Sequence, residues 1–285
     1  MIIEYLDRII SLYQSAGYSL VPYRLDFQGT SHDMLGDIDT SYDHMLLAGG
    51  DGTVNYVVNR MKEHGLEIPM AILPTGTAND FGTMLGMSPD ILKTCEDILG
   101  GRRHKVDLGK VNGTYFVNVF SCGLFTDISQ KTPTLLKNNF GKIAYYVNGI
   151  GELPRFRKMK LDIKTDGGDF KGKVLIFFVF NGQTAGNLPI AYLSSPDDGL
   201  LDVLIVKADT PLVPLRPMLK YLTRIGKKVK EYPSDIVHIR CSQLQAVSER
   251  NESTDMDGQP GPSFPLEITC EKEAITVIIP AAHKI

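Results

Sequence analysis

The chain has 285 residues, of which 43% are hydrophobic and 22% charged, and its formal net charge is -3. This length suits two domains or one large one, and the balance excludes both a disordered tail protein and a membrane-embedded one. The small negative charge gives no global pull toward nucleic acid, so an anionic partner must be met by a local basic patch.

An amphipathic helix is expected over residues 1–17, with Ile2, Leu6, Ile9, Ile10 and Tyr13 on one face and Gly17 as its stop. Glu4, Asp7 and Arg8 interrupt the apolar core that a signal peptide needs. Short strands are expected at 18–25 and 42–48. A helix follows at 53–64, where Val54, Val57, Val58 and Met61 keep helical spacing until Gly65 ends it. A buried strand at 68–73 leads into a glycine and threonine loop, a helix near Asn79, and a further helix that Ser88-Pro89 opens and Gly100-Gly101 closes. This βαβ order implies a largely parallel, doubly wound sheet with helices on both faces.

From residue 106 the helical period mostly disappears. Asn112-Gly113 and Asp166-Gly167-Gly168 read as hairpin turns between strand runs at 115–120, 158–164 and 173–181. Further strands are expected at 201–207, 236–241, 266–270 and 274–279, interrupted by helices near 142–153 and 212–224. The expected fold class is α/β plus β: an α/β domain over 1–106, then an antiparallel β-sandwich or barrel-like domain. The longest apolar run, 174–180, is far too short to span a bilayer. Four cysteines without CxxC spacing (Cys95, Cys122, Cys241, Cys270) read as reduced, small buried hydrophobes of a cytosolic chain.

Two loops carry the chemistry. Gly49, Gly50, Asp51, Gly52 and Thr53 leave a strand and enter a helix, so the backbone can approach a ligand closely and the helix amino terminus favours an anion. An acidic residue in such a loop makes electrostatic sense when a metal ion or a reacting hydroxyl lies between it and a phosphate, which favours Asp51 as a Mg²⁺ or acid/base carboxylate over a turn former. The second loop, 73–81, offers Thr75, Gly76, Thr77, Asn79 and Asp80 in the same strand-to-helix setting. Loops at the carboxyl ends of adjacent strands converge on one crevice, so both can face one ligand. The plainer alternative is that Asn79 or Asp80 caps its helix.

The pairing of GGDGT with LPTGTANDF, followed by NGQTAGN, SSPDDGLLDV and a late DMDGQ, resembles the diacylglycerol kinase catalytic family, most of all its soluble bacterial members, with sphingosine and ceramide kinases as relatives. The resemblance runs through nearly the whole chain in the right order. It implies a nucleotide-binding α/β domain like those of phosphofructokinase and NAD kinase over 1–106, a β-sandwich over 107–278, and a tail, 279–285, that returns to the first domain, with the active site between the two domains. It implies that Gly49, Gly50, Asp51, Gly52 and Thr53 contact the phosphates of ATP and its Mg²⁺. Thr75, Gly76, Thr77 and Asn79 would line the nucleotide side, and Asp80 would be a second metal or network carboxylate. It further implies a structural magnesium site at Asp197 or Asp198 with the carbonyl of Leu200, although a PDDG turn between strands explains the same run.

Two departures from the family pattern qualify this. The late motif reads DGE in active members, its glutamate acting as general base on the lipid hydroxyl, whereas this chain has Asp257-Gly258-Gln259. An amide can position a hydroxyl but cannot take its proton, which leaves Asp51 or Asp257 as substitutes. The family also opens with a strand and an NPxSG-type loop, so such a segment is expected ahead of Met1, the alternative being a degenerate member that has lost it.

Other candidates are weaker. Residues 167–173 fit GxxxxGK, but Val174 stands where a P-loop needs Ser or Thr, and the segment is a hairpin. The six histidines show no ligand spacing. Arg102, Arg103, His104 and Lys105, and separately Lys220, Arg224, Lys227, Lys228 and Lys230, are solvated helix-end charge or a patch for an anionic membrane surface. Residues 120–127, with Leu135, Tyr145 and Tyr146, resemble the acceptor side of the family cleft. The readings that stand are an ATP- and Mg²⁺-dependent kinase of diacylglycerol or a related lipid, cytoplasmic and peripheral at the inner membrane surface, and a catalytically impaired nucleotide- or lipid-binding member. A soluble-substrate kinase related to NAD kinase is a third, and a homodimer stays open.

Overall fold

The computed structural model describes residues 2–25, 34–123, 158–186, 189–208, 231–232, 234 and 236–284. The helices expected near 142–153 and 212–224 lie outside these residues. Two compact units emerge, Met1–Val106 with Glu273–Ile285, and Asp107–Lys272.

In the first unit the helix α1 (Leu6–Ser15) buries Ile9 and Tyr13. Residues 18–25 do not form the expected strand. Tyr18 closes the end of α1 by donating its N–H to the Tyr13 carbonyl at 3.0 Å, and Val21 and Tyr23 stay exposed, so no apolar face is buried to support a ladder. The strands β1 (Met45–Gly49) and β2 (Met70–Pro74) pair in parallel, with Met45 opposite Met70 and Gly49 opposite Pro74. The helix α2 (Asp51–His64) joins them and buries Val54, Val57, Val58 and Met61, the expected stripe. Gly65, left-handed at φ 63°, ends it. The short α3 (Asp80–Met84) follows β2, and α4 (Ile91–Leu99) starts where the Asp90 carboxylate accepts the N–H groups of Leu92 and Lys93. The sheet gains a third parallel neighbour from the chain's end, Val277 lying opposite Met70.

The strand β3 (Arg102–Val111) already begins at the basic group, where Arg102 donates to the His283 carbonyl and Lys105 pairs with Glu273. Among the described residues, the strand pairs of the second unit whose register is defined are antiparallel. β3 turns at Asn112-Gly113 into β4 (Thr114–Phe116), as expected, but the run expected at 115–120 breaks before β5 (Val119–Gly123). β6 (Met159–Thr165) and β7 (Phe170–Phe180) form the hairpin around residues 166–168, so the GxxxxGK match is the hairpin turn and the start of β7. β7 also pairs with β5 and β8 (Leu201–Lys207), and β8 pairs with β9 (Ile236–Cys241). The strand β10 (Gln243–Ser248), not anticipated, buries Leu244 and Ala246 and exposes Gln243, Gln245 and Val247. β11 (Thr254–Met256) and β12 (Gln259–Pro260) make a small hairpin. Finally, β13 (Leu266–Ile279) is one strand where two were expected, bent at Glu273 with φ 52°.

The continuous apolar run in β7 is explained by burial on both faces. Phe177 and Val179 enter one core with Phe120, Leu161 and Val203, while Phe178 and Phe180 enter a second with Leu204 and Val206. A register shift between Val174 and Ile176 puts Leu175 and Ile176 into the same core, the inversion that one extra residue in a strand produces. Cys95, Cys122 and Cys241 are buried and Cys270 half-buried, and burial pushes the thiol of Cys95 up to about 11 and that of Cys241 to about 12.

Gly109 in β3 faces Phe116 across the ladder, and a Cβ there would run into the buried Phe116 ring. Gly109→Ala is expected to lower the unfolding free energy by about 1–3 kcal/mol, read as a fall in the urea midpoint with unchanged slope.

Candidate active site

The two strand-to-helix loops of the first unit are docked on each other. A Cβ on Gly50 would stand 2.9 Å from the Cα of Gly76, and one on Gly76 would stand 2.8 Å from Oδ1 of Asn79. The glycines are therefore required because two backbones meet, a reason the sequence did not disclose. Gly49 is confined by Thr53, whose Cβ would lie 2.5 Å from an added Cβ, and its carbonyl accepts the Thr75 N–H at 3.1 Å. Asn79 closes the second loop. Its Oδ1 accepts the Gly76 N–H at 2.8 Å, its amide donates to the Gly76 carbonyl at 2.9 Å, and its backbone is left-handed at φ 56°.

Asp51 locks this arrangement. Its Oδ2 accepts the N–H of Asp80 at 3.1 Å and its Oδ1 that of Phe81 at 2.9 Å, so the first loop caps the helix of the second. Neither Asn79 nor Asp80 caps α3 in the ordinary way, because the side chain of Asn79 is spent on its own loop. Burial raises the Asp51 carboxyl above the usual carboxylate range, the N–H of Phe81 opposes this, and the nearby charge of Asp80 adds to it. Asp80 is buried, whereas Thr75, Gly76 and Thr77 are exposed and Gly50, Asp51, Gly52 and Thr53 half-exposed. The loops thus present hydroxyls and backbone groups on a buried acidic base.

In the second unit, Asp257-Gly258 is the two-residue turn between Met256 and Gln259, with φ of 49° and 85°. The Asp257 carboxylate accepts three backbone N–H groups, from Val117 at 2.7 Å, Asn118 at 3.0 Å and Val119 at 2.9 Å. This grip separates β4 from β5, and it occupies the carboxylate that could have replaced a general base. Gln259 is exposed at the exit of the turn. Asn181, the first residue of NGQTAGN, is fully buried and donates to the carbonyls of Asp107 at 2.9 Å and Val117 at 3.0 Å, a stapling role not anticipated from the motif.

The PDDG run is a turn before β8. The Oδ1 of Asp197 accepts from the Ser195 hydroxyl at 2.6 Å, while Asp198 accepts the Leu200 N–H on Oδ1 at 3.0 Å and pairs through Oδ2 with Arg240. The acceptor-side residues from Leu124 onward, with Leu135, Tyr145 and Tyr146, and the basic residues from Lys220 to Lys230 lie outside the described residues.

The chain matches the family model for the diacylglycerol kinase catalytic domain over residues 2–111 and that for the YegS C-terminal NAD kinase beta sandwich-like domain over residues 119–279. It belongs to the diacylglycerol kinase family. Membership makes it a kinase, a phosphoryl transferase that uses a nucleotide, with a lipid kinase fold of α/β plus β-sandwich class. A diacylglycerol kinase of Staphylococcus aureus strain JH9 is 31% identical across 97% of this chain and 87% of its own length. That of Bacillus subtilis strain 168 is 28% identical across 97% and 91%. A diacylglycerol kinase structure from Bacillus anthracis strain Sterne superposes with a TM-score of 0.76 at 25% identity, covering 97% of this chain and 91% of the other.

Among the described residues no three His, Cys, Asp or Glu side chains converge as a ready cation site. The two glycine loops nonetheless suit Mg²⁺ chemically. Asp51 and Asp80 are like charges within reach of each other, and each Asp51 oxygen has accepted only one N–H from the second loop, leaving oxygen lone pairs for a hard cation. The PDDG turn suits it poorly, since both oxygens of Asp198 already have protein donors, one of them cationic.

The raised Asp51 carboxyl makes a pH prediction. A carboxyl held above its ordinary range favours the folded state while protonated, and this contribution is lost as pH rises through the folded value. Relative to Asp51→Asn, which does not titrate, the wild-type unfolding free energy is expected to fall as pH rises above the ordinary carboxylate range and to level off once the buried carboxyl has ionised. Asp51→Ala, which strips two N–H groups of their acceptor, is expected to cost about 1–3 kcal/mol at neutral pH, measured by urea unfolding.

Proposed function

We propose that the protein transfers the terminal phosphoryl group of ATP, with Mg²⁺, to the hydroxyl of diacylglycerol or a related lipid. The observation that carries this reading is the docking of the two glycine loops through the Asp51 carboxylate and the N–H groups of Asp80 and Phe81. Gly49 to Thr53, at the amino end of α2, hold phosphate oxygens through backbone groups, and Thr75, Gly76, Thr77 and Asn79 line the nucleotide side. Asp51 and Asp80 hold the Mg²⁺ that accompanies ATP, which when bound offsets negative charge on the phosphates. The name of the family relatives supplies the lipid class. The basic residues Lys227, Lys228 and Lys230 draw the enzyme to an anionic membrane surface, where such a lipid resides.

The DGQ turn favours a second reading. Gln259 cannot accept a proton, and Asp257 is committed to the backbone of residues 117–119. Phosphoryl transfer rests chiefly on positioning and electrostatics, so the loops sustain turnover without a base in this turn. If they do not, the protein is a nucleotide- or lipid-binding member.

Radiolabelled ATP offered with a lipid panel separates the two. Label is expected in the lipid, dependent on Mg²⁺, and reduced on the order of a hundredfold by Asp51→Ala. Gln259→Glu is expected to raise turnover on the order of a hundredfold if a base is what the turn lacks. Incorporation that is indifferent to Asp51 would sink the kinase site proposed for these loops. ATP binding with no transfer until Gln259→Glu is introduced would establish the second reading.

A further inference from the structure

The PDDG turn sits among three carboxylates. Asp107 is fully buried on β3 and accepts the Gly199 N–H at 2.6 Å. Asp202 is fully buried on β8, and its Oδ1 lies 2.5 Å from Nε2 of His238, while its Oδ2 receives no hydrogen bond from the described residues. Asp198 is partly exposed on the turn itself. Asp202 and Asp107 are both within Coulombic reach of Asp198: burial, first, and then their charges weigh against its ionisation, while the Leu200 N–H and Arg240 favour it.

Arg240 answers this negative charge. It lies on β9 directly across the ladder from Asp202, its Nη2 bonds Oδ2 of Asp198, and its Nε approaches Oδ1 of Asp202 at 3.7 Å. One planar guanidinium thereby spans the turn carboxylate and the strand carboxylate. It is a permanent cation, carried by a strand whose register is set by six pairings to β8, from Leu201 opposite Cys241 to Val206 opposite Ile236.

We infer that Arg240 is the built-in cation of this turn, doing there what the family resemblance assigns to a structural magnesium ion, so that the turn needs no metal to hold its shape. A divalent ion on Asp198 would have to displace a hydrogen-bonded guanidinium and then sit beside its positive charge. The Leu200 N–H further reduces the carboxylate's free lone pairs. The inference concerns the second unit alone and is independent of whether the nucleotide loops catalyse transfer.

The test reads metal binding at the turn and uses the full chain without nucleotide. Mn²⁺, a paramagnetic stand-in for Mg²⁺, is titrated while the amide resonances of Gly199 and Leu200 are followed. In the wild type these are expected to keep their intensity. Arg240→Ala is expected to melt lower in EDTA, to regain stability in Mg²⁺, and to bring Mn²⁺ broadening to both amides at roughly ten- to a hundredfold lower metal concentration than the wild type requires. The double variant Asp198→Asn, Arg240→Ala is expected to lose that response. Broadening of Gly199 and Leu200 in the wild type at the same low Mn²⁺ concentration would overturn the inference, as would an Arg240→Ala variant that ignores metal. Should Arg240→Ala not fold, the wild-type titration still decides, with Arg240→Lys as the folded comparison: a point charge that cannot span both carboxylates should admit Mn²⁺ more readily than the wild type.

Discussion

Everything in the region of the two glycine loops depends on one carboxylate placed between two helix starts. Asp51 stands in the first turn of α2 and accepts two N–H groups from the first turn of α3, residues about thirty positions away in the chain. Each loop alone is a glycine-rich connection with many accessible conformations. Joined through Asp51, and through the backbone contact that only glycine at 50 and 76 allows, they become one rigid surface. Burial of that carboxylate works against its charge, so the site carries an electrostatic tension that a bound cation would relieve.

The second unit uses the same device for a different purpose. Asp257 gathers three consecutive N–H groups and so fixes a break between β4 and β5, while its own left-handed backbone makes the turn that presents Gln259. An aspartate that looks catalytic by motif is a structural anchor by geometry. The consequence for chemistry is direct, because a carboxylate that three backbone N–H groups hold in place and stabilise as an anion is a poor substitute for the missing glutamate. At the PDDG turn, Arg240 does for the two carboxylates of Asp198 and Asp202 what these N–H groups do for one.

Much of the fold was legible in the sequence. The valine stripe of α2, the stop at Gly65, the Asn112-Gly113 turn and the antiparallel strands of the second unit all follow from local period and turn chemistry. The failures share a cause. Residues 18–25 have strand-like composition but no partner strand among the described residues, and 115–120 have a strand pattern that a distant aspartate interrupts. β10 was missed because its two glutamines mask an alternation that becomes visible only when β6 and β13 are seen on either side.

The sequence alone determined the class of the protein: two glycine loops, each leaving a strand and entering a helix, followed in order by PDDG and a late Asp-Gly turn, resemble the pattern of one family even though residue 259 departs from it. It could also show that residue 259 is an amide, since that is a matter of covalent chemistry. Only the tertiary structure decided which polar groups are available. Hydrogen bonds between Asp51 and Phe81, Asp257 and Asn118, or Asp198 and Arg240 join residues separated by tens to more than a hundred positions, and the choice among such partners is made by packing, which no local pattern encodes.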